Sequence, residues 1–549
     1  MRRLFALLFV FCGSLQAQEK PKGLVVCVSA PAAEVGAATL RQGGNAVDAA
    51  VATAFAQAVT WPEAGNIGGG GFLLIQPPGD LRATVIDYRE TAPAAATAEM
   101  FAKKVDYYSH LTTGVPGSVH GLGYAHKKYG KLAWAEVLRP AVKFAEEGFV
   151  VNAVLARGLN NVLASPQTKN AEFRRVYGKN GGKDPWQAGD VLVNKDLGRT
   201  LRILMEQGAD AFYAGDLADK LDAEMTFGAG LITKQDLAAY TAVERTPLTG
   251  TYRGYDVVAL PPPSAGGATL IPMLNMLETF EVAKHPRHST QTVHLMAEVM
   301  RRAYRDRAEF LGDPAFAKLP AHLLTKDYAK KLAATIDPVK ATKSETLAGT
   351  IELAPESNQT THVSVIDGDG MAVANTTTLE NSYGNRVVVR GCGYILNNEM
   401  TDFNHRPGIT DRTGRVGTPP NLVAGGKRML SSMCPTILRK NGKTVLVTGS
   451  PGGRTIPNTV FNVIVNVVDY KMDVQAAVDA PRQHHQWFPD RIVHEDFAGF
   501  PALADALKAL GHTVGKQRQG DAHSIFLDPE TGVRTPGVDH RLDGKAVRE

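Results

Sequence analysis

Hydroxyl side chains are concentrated in one stretch, which reads NQTTHVSVIDGDGMAVANTTT over residues 358–378. A threonine hydroxyl is a weak nucleophile unless a neighbouring base accepts its proton. The α-amino group of a chain that begins with threonine can be that base, because its ordinary pKa of about 7.7–8.0 suits neutral pH. We therefore interpret Gln359-Thr360 as a cleavage site, opened by attack of the Thr360 hydroxyl on the Gln359 carbonyl. Thr360 would then serve as an N-terminal nucleophile.

The turn in this stretch decides which hydroxyl faces Thr360. The triplet 368–370, Gly-Asp-Gly, forms turns readily and separates two strand-like runs. A three-residue loop places Thr360 opposite Thr378, with both side chains on the same face. A two-residue loop would put Thr377 there instead. A threonine-rich strand without any chemistry is the alternative interpretation, because threonine favours sheets.

The N-terminus has the layout of a secretory signal peptide. A positive start, Met1-Arg2-Arg3, precedes an apolar run over residues 4–11, and the segment ends at the small residue Ala17. A membrane anchor is the alternative, but a span takes about 20 apolar residues. We expect residues 1–17 to be removed, leaving a periplasmic or secreted protein with no membrane span in the mature chain.

Composition excludes several classes of protein. The chain has 549 residues and a formal net charge of only +5, with no basic run interleaved with aromatic residues, so nucleic acid is not an expected partner. Neither C-x-x-C nor H-E-x-x-H occurs, and we expect no metal and no other cofactor. The mature chain keeps Cys27, Cys392 and Cys434, which we predict to be buried thiols. We interpret His484 and His485 as structural, because adjacent residues on a strand point to opposite faces.

Helical and sheet-like segments are unevenly distributed. Residues 44–59 are apolar nearly all round, which is typical of a helix buried between layers. The stretch TVIDYRETAP, residues 84–93, contains a strand that would deliver Arg89 to a loop. Residues 115–345 appear mostly helical, with one amphipathic helix ending near Gly312, and residues 338–358 have the composition of an exposed linker. Strands follow after 360, including GYILNN and a hairpin with an Asn441-Gly442 turn, before a helical NTVFNVIVNVVDY.

Several motifs accompany the threonine hairpin in a fixed order. They are GNAVDAAVAT, GNIGGGGF and DYRETAP before it, and ILNNEMTDF, MLSSMCPT and TGSPGGRTI after it. Together they resemble the γ-glutamyltransferase (γ-glutamyltranspeptidase) family of N-terminal-nucleophile hydrolases, from about residue 23 to the last 20 or so. The resemblance implies a four-layer αββα sandwich, made as one precursor that cleaves itself. The large subunit would be residues 18–359 and the small subunit residues 360–549.

The resemblance also implies roles for individual residues. Thr360 would be the nucleophile for both cleavage and catalysis, and Thr378 would donate a hydrogen bond to it. Backbone amides of Gly452 and Gly453 would form an oxyanion hole. The remaining residues would bind the two charged groups of a γ-glutamyl donor: Arg89, Ser431 and Ser432 the α-carboxylate, and Glu380, Glu399 and Asp402 the α-ammonium.

The expected activity is γ-glutamyl transfer and glutathione hydrolysis, with glutathione and related compounds as donors and amino acids or dipeptides as acceptors. Two features depart from the family: Glu380 stands where many members have asparagine, and the lid segment 403–430 has no bulky aromatic gate, its position falling near Thr413. Two alternatives stay open. One is a same-fold acylase acting on glutaryl-cephalosporins, oxamate or poly-γ-glutamate, and the other is an uncut binding protein.

Overall fold

The structure is a computed structural model that describes residues 22–79, 82–103, 105–348, 354–355 and 361–549. The predicted signal peptide, Gln359 and Thr360 lie outside these residues. The helices are α1 (Ala30–Arg41), α2 (Ala46–Thr60), α3 (Ser118–Tyr129), α4 (Trp134–Glu147), α5 (Ala153–Ala164), α6 (Ala171–Tyr177), α7 (Lys195–Gln207), α8 (Gly215–Phe227), α9 (Lys234–Ala239), α10 (Ala265–Leu277), α11 (Thr290–Phe310), α12 (Lys326–Ala333), α13 (Ile456–Val468), α14 (Val474–Asp479) and α15 (Pro501–Ala509).

The strands are short and mostly antiparallel. They are β1 (Leu24–Cys27), β2 (Gly70–Gln76), β3 (Thr84–Asp87), β4 (Phe149–Val150), β5 (Val191–Leu192), β6 (Val243–Arg245), β7 (Leu248–Tyr252), β8 (Tyr255–Ala259), β9 (Ala354–Pro355), β10 (Thr361–Ile366), β11 (Ala372–Thr378), β12 (Gly414–Arg415), β13 (Thr436–Lys440), β14 (Lys443–Thr448), β15 (Gln483–His484), β16 (Ile492–His494), β17 (Val514–Lys516), β18 (Ser524–Leu527), β19 (Arg534–Gly537) and β20 (Lys545–Arg548).

Two antiparallel sheets form the centre of the molecule. The first has the order β20-β1-β10-β11-β2-β3-β6, and the second has the order β19-β18-β14-β13-β8-β7. In each sheet, strands from before residue 360 pair with strands from after it, as β1 does with β10 and β8 with β13. Because these ladders cross position 360 several times, the two predicted subunits would be intertwined rather than separate domains.

The hydrophobic core has three layers that follow from the two sheets. Side chains such as Leu74, Ile366 and Val447 fill the space between the sheets. The outer face of the first sheet packs against α1, α2 and α3, with α4 packed on α2, and that of the second packs against α10, with α11 and α13 beside it. Strands buried on both faces have near-continuous apolar sequences, and β1, LVVC, is fully buried. The result is an αββα sandwich.

The hairpin that carries the threonines has the register of the three-residue loop. Thr361 pairs with Thr377 and Ile366 with Ala372 along β10 and β11. The register of a two-residue loop is wrong for this turn. On β11, Thr378 therefore shares the inter-sheet face with Thr376 and Ala374, because alternate residues of a strand lie on one face.

Some of the other predicted helices and strands are present in the structure and others are not. The apolar helix over 44–59 is α2, buried at every position from Ala46 to Thr60, and the Asn441-Gly442 hairpin joins β13 to β14. The strand predicted for GYILNN is wrong: this segment, residues 393–398, has an irregular backbone apart from an isolated bridge between Val388 and Ile395. The mostly helical stretch 115–345 also contains β6–β8, whose partners are distant in sequence and leave no local signal.

The amphipathic helix predicted to end near Gly312 is α11, but its polar face is buried rather than exposed to solvent. The helix ends at Phe310, yet Arg301, Arg302 and Arg307 on its polar side are all buried. Arg302 donates to the Thr335 carbonyl at 2.9 Å, and Arg305 donates to that of Leu347 at 3.0 Å. The described part of the predicted linker, 338–348, is therefore held against this helix rather than fully exposed. Among the residues described, no helix has both the length and the hydropathy to span a membrane.

Candidate active site

Loops at one end of the two sheets bring most of the predicted site residues together. Arg89 lies just after β3, and Thr378 is the last residue of β11. A single 3-10 turn, Glu399–Asp402, carries two of the acidic residues. Ser431 and Ser432 precede β13, while Gly452 and Gly453 lie between β14 and α13. Residues that are far apart in the sequence thus converge because strand ends meet at a common edge.

Arg89 is the most enclosed charged group of this site. Its side chain is 1% exposed, which excludes a simple surface arginine. One terminal nitrogen lies 2.5 Å from Glu399 Oε2, the other contacts Asp402 Oδ2, and Nε donates to the Met429 carbonyl at 3.2 Å. A guanidinium has five N–H donors, so these three contacts leave donors for a further anion. Burial alone would lower the pKa of Arg89, but Glu399 and Asp402 raise it, and the group stays charged.

An acidic cluster surrounds the guanidinium, and we call Glu380, Glu399 and Asp402 the acid triad. One carboxylate oxygen from each lies within 4.8 Å of the others. Burial raises the pKa of the Glu399 carboxyl to about 7, with Arg89 opposing and Asp402 adding to the rise. Burial followed by repulsion from Asp402 and Glu399 raises the pKa of Glu380 well above its ordinary value. Negative charges within the triad repel one another, so a further cation bound there would be favourable.

The Glu380 carboxyl should make stability depend on pH. An unfolded chain ionises this group above about pH 4.5, its ordinary pKa, whereas the folded protein keeps the proton to a much higher pH. Unfolding is therefore favoured increasingly as pH rises above 4.5, until the folded pKa is passed. Glu380→Gln removes this loss. We expect thermal midpoints of variant and parent to agree at pH 5, and the variant to be higher by a few degrees at pH 8.

The matched control for this prediction is Glu99→Gln, which changes an exposed glutamate. Its midpoint should follow that of the parent at both pH values. A Glu380→Gln protein that melts below the parent at pH 8 would mean that the ionised carboxylate stabilises the fold, contrary to the burial seen here.

Ser431 and Ser432 follow Met429, whose carbonyl accepts a hydrogen bond from Arg89 Nε, and other groups orient both serine hydroxyls. Ser431 Oγ accepts a hydrogen bond from the Met433 amide at 3.0 Å, and Ser432 Oγ accepts one from Arg307 at 2.9 Å. A hydroxyl that accepts a hydrogen bond still has its own proton to donate. Both serines therefore keep a proton that they could donate to a bound anion. Arg307, on α11, is a site residue that the sequence did not single out.

Gly452 and Gly453 adopt backbone conformations that favour glycine, with φ of 128° and 54°. They lead through a 3-10 turn, Gly453–Thr455, into the 13-residue helix α13. Neither amide donates to another residue within the described part of the chain. Unpaired amides at a helix N-terminus are suited to bind negative charge. This geometry agrees with the oxyanion hole predicted for the pair, and the role remains a prediction.

Gly452→Ala should disable this pair of amides. A Cβ at position 452 would lie 2.5 Å from Thr455 Oγ1, whose hydroxyl donates to the Gly452 carbonyl, and a positive φ disfavours alanine. We expect kcat on a γ-glutamyl substrate to fall about 10²–10³-fold, with a smaller change in KM. Gly208→Ala is the control, because Gly208 also has positive φ but its Cβ would meet no atom within 4 Å. Equal kcat values in the two variants would show that Gly452 is not part of the catalytic site.

Thr378 lies beside the acid triad. Its Oγ1 accepts a hydrogen bond from the Glu380 amide at 2.8 Å, which fixes the turn that follows β11. Glu380 itself has a positive φ of 74°, a strained conformation for a side chain of this size. Thr360 is covalently bonded to Thr361, the first residue of β10, but lies outside the described residues.

A cavity of about 40 Å³ opens next to Glu380 and Asp402, and Tyr107, Ile409 and Arg454 also line it. Several residues of the segment 403–430 line this cavity, among them Phe403, His405 and Ile409. Thr413 is exposed and lines another cavity, of about 190 Å³, with His484 and Gln486, and the lid remains a prediction. Tyr107 was missed by the sequence reasoning, because no motif surrounds it.

Glu90 is a second residue that sequence reasoning missed. It is fully buried, with Oε2 3.5 Å from the same nitrogen of Arg89 that contacts Glu399. Burial, followed by repulsion from Glu399, raises its pKa well above the ordinary value. Its position directly after Arg89 in DYRETAP was the available signal.

Within the described ranges, two groups of side chains could hold a metal ion by distance alone. One is the acid triad, where Arg89 already supplies a cation. The other is His294, Glu298 and His512. His294 is bonded to His512 and to the Asp337 carbonyl, both at 2.8 Å, and Glu298 pairs with Arg302 at 2.6 Å. These groups already have partners, so the second cluster stabilises the core around α11.

The remaining predicted side chains have structural surroundings. His484 Nδ1 lies 2.6 Å from Asn458 Nδ2, and His485 is 3.4 Å from Asp490 Oδ1. The prediction of buried thiols is confirmed, because Cys27, Cys392 and Cys434 are all buried and unbridged.

Comparison with known proteins agrees with the fold and the site. A cephalosporin acylase from Bacillus halodurans superimposes with a TM-score of 0.85 at 28% identity, covering 96% of both chains. The γ-glutamyltranspeptidase of Helicobacter pylori superimposes with a TM-score of 0.56 at 39% identity, covering 58% of this chain and 92% of that one. The protein is an enzyme with the αββα fold of N-terminal-nucleophile hydrolases.

Sequence comparison narrows this class. The γ-glutamyltranspeptidase family profile matches residues 32–548. The glutathione hydrolase proenzyme of Escherichia coli (strain K12) is 46% identical over 520 residues, which cover 93% of this chain and 89% of that protein. The chain therefore belongs to the γ-glutamyltranspeptidase family, as the motifs indicated.

Proposed function

We infer that the chain is a γ-glutamyltransferase and glutathione hydrolase made as a proenzyme. The observation that carries this inference is the buried Arg89 flanked by the acid triad. A γ-glutamyl donor presents an α-carboxylate and an α-ammonium on one carbon. The remaining N–H donors of Arg89, with Ser431 and Ser432, match the carboxylate, and the excess negative charge of the triad matches the ammonium.

Asp402 is the member of the triad best able to adjust to a donor. Its side chain is 27% exposed, whereas that of Glu399 is fully buried. An incoming ammonium would neutralise part of the repulsion within the triad, and an incoming carboxylate would share the Arg89 guanidinium with Asp402. The donor thus adds one charge of each sign to a site that already holds both.

The reaction needs no group beyond the protein and the substrate. The Thr360 hydroxyl attacks the γ-carbonyl carbon while the Thr360 α-amine accepts its proton. Amides of Gly452 and Gly453 stabilise the oxyanion. The C–N bond then breaks, and the leaving amine takes the proton. Water or an acceptor amine attacks the resulting γ-glutamyl ester, and its proton returns to Thr360 Oγ by way of the same amine.

Processing precedes this chemistry. A cut between Gln359 and Thr360 would create the α-amine and yield subunits of residues 18–359 and 360–549. The N-terminal pattern of residues 1–17 supports export, which would place the mature enzyme in the periplasm or outside the cell. Glutathione and related γ-glutamyl compounds are the proposed donors, and amino acids or short peptides are the proposed acceptors.

An acylase that prefers donors without an α-amino group is the second candidate, favoured by the structural likeness to a cephalosporin acylase. Initial rates with L-γ-glutamyl anilide and glutaryl anilide separate the two, because these substrates differ only by that amino group. We expect the γ-glutamyl compound to be favoured at least about 100-fold, because a substrate without the α-amino group leaves buried carboxylates unpaired. Equal rates, or a preference for glutaryl anilide, would show that the protein is an acylase rather than a γ-glutamyltransferase.

A further inference from the structure

The layer between the two sheets changes character towards the site. Apolar side chains such as Ile366 and Ala374 fill much of this layer. Towards the site, β10 and β11 contribute three polar side chains to it, His362, Ser364 and Thr376, each no more than 1% exposed. Burial of polar groups costs free energy unless they are hydrogen-bonded, so their partners indicate what they do.

Two hydroxyls fix the His362 ring and the position of its proton. Ser364 Oγ donates to the His523 carbonyl at 2.9 Å, which uses its only proton, so it accepts from His362 Nε2 at 3.1 Å. Nδ1 of the neutral ring is then an acceptor, and Thr376 Oγ1 donates to it at 2.7 Å. Burial, followed by the charge of His523, lowers the pKa of His362 well below its ordinary value, and the ring stays neutral.

The same ring packs against the second sheet. Gly449 directly follows β14 and lies three residues before Gly452. A Cβ at position 449 would lie 2.6 Å from His362 Nε2 and closer still to Nδ1 and Cε1, so a side chain there has no room beside the ring. The Gly449 carbonyl accepts a hydrogen bond from the His523 amide at 3.2 Å. The imidazole therefore lies between β10 and the start of the loop that carries Gly452 and Gly453.

This position matters because the reacting groups come from different sheets. Thr360 precedes His362 by two residues in the first sheet's chain segment, whereas Gly452 and Gly453 follow β14 of the second sheet. Backbone hydrogen bonds hold the strands of one sheet together, but the spacing between two sheets depends on the side chains packed between them. A misplacement of about 1 Å between reacting groups can cost about 10²-fold in rate.

We propose that His362 is a positioning residue, whose ring sets the spacing between the strand that follows Thr360 and the loop that carries Gly452 and Gly453. This inference rests on the proposed nucleophile and oxyanion hole, and not on the identity of the acyl donor. The ring does not act as an acid or a base, because hydroxyls of Ser364 and Thr376 occupy both of its nitrogens.

Replacement of His362 by glutamine and by phenylalanine tests the role of the ring. Glutamine has both an acceptor and donors, so it can keep the two hydroxyl partners, whereas phenylalanine keeps a ring and leaves both hydroxyls unpaired. We expect His362→Gln to keep kcat on L-γ-glutamyl anilide within about threefold, and His362→Phe to lose about 10²-fold with little change in KM. The pH dependence of kcat should keep its shape in His362→Gln. His126→Gln is the control, because His126 is a buried histidine of α3 that lies beside Asp48.

Gly449→Ala tests the same contact from the second sheet. The added methyl group pushes against the ring, so kcat should fall about 10²-fold with KM nearly unchanged. Combining it with His362→Ala removes the ring and makes room for the methyl group. The double variant should therefore have the kcat of His362→Ala alone, a non-additive result. Rates are measured on cut protein, and a denaturing gel gives the fraction that is cut.

Several results would overturn this role. They are a parental kcat in His362→Phe, multiplicative losses in the double variant, and a pH profile of His362→Gln that lacks one limb of the parent profile, which would make the ring a catalytic base. A folded His362→Phe protein that stays uncut while His362→Gln is cut would support the role, because the cut uses the same Thr360 hydroxyl. If Gly449→Ala is not cut, the two His362 variants decide.

The parent enzyme separates this inference from the proposed function. A parent that cleaves glutaryl anilide but not L-γ-glutamyl anilide would contradict the proposed function alone, and the same variants would then be compared on glutaryl anilide. A parent that cleaves neither substrate would contradict both, because no catalytic Thr360 would remain to be positioned.

Discussion

Thr360→Ala should give an uncut and inactive protein. Alanine has no hydroxyl to attack the Gln359 carbonyl, so the cut does not occur and no N-terminal amine is released. We expect a single band on a denaturing gel where the parent shows two, and a fall of at least about 10⁴-fold in kcat on L-γ-glutamyl anilide, as for other enzymes that lose their nucleophile. Intact mass of the purified parent gives the cut position directly.

Two further variants separate the hydroxyl from its surroundings. Thr360→Ser keeps a hydroxyl and should still split and retain measurable activity. Thr361→Val changes the next residue, whose hydroxyl is buried without a hydrogen-bond partner in the described structure, and should split like the parent. A Thr360→Ala protein that is still cut before residue 360 would show that another protease or another residue makes the cut.

The sequence predicts the hairpin and the site better than it predicts the layers around them. The Gly-Asp-Gly turn sets the register of β10 and β11 because a turn and its flanking strands are contiguous in the chain. Motifs likewise located Arg89, Glu399 and Asp402, which contact each other in the structure. The sequence did not predict which groups bury these residues, such as Glu90 next to Arg89, because no local pattern specifies contacts between distant segments.

Features built from distant segments could not be predicted in this way. β8 pairs with β13 in the second sheet, but the sequence of neither strand indicates its partner. The arginines of α11 have the spacing of an exposed face, but residues 335–347 cover them. A cavity of about 510 Å³ is lined by both Glu63 and Arg518, which are far apart in the chain. Only the packed structure brings such groups together.

The second large effect concerns Arg89. Its removal leaves Glu90 and Glu399 buried without their cation, with Asp402 beside them, and losing one partner of a buried ion pair costs about 3–5 kcal/mol. We expect Arg89→Gln to lower the thermal midpoint by several degrees and to reduce kcat/KM for L-γ-glutamyl anilide about 10²–10³-fold. Arg175→Gln is the control: Arg175 is 55% exposed and pairs with Glu172 and Asp196, so its loss should cost less than about 1 kcal/mol.

A double variant separates folding from catalysis at Arg89. Adding Glu399→Gln to Arg89→Gln removes one unpaired buried charge, so the thermal midpoint should recover in part. Donor binding should not recover, because no guanidinium remains for the α-carboxylate. Arg89→Lys keeps the charge but not the planar fork, and should fold well while losing most of kcat/KM. If the double variant regained activity along with stability, Arg89 would be a structural cation, and the α-carboxylate would have to bind elsewhere.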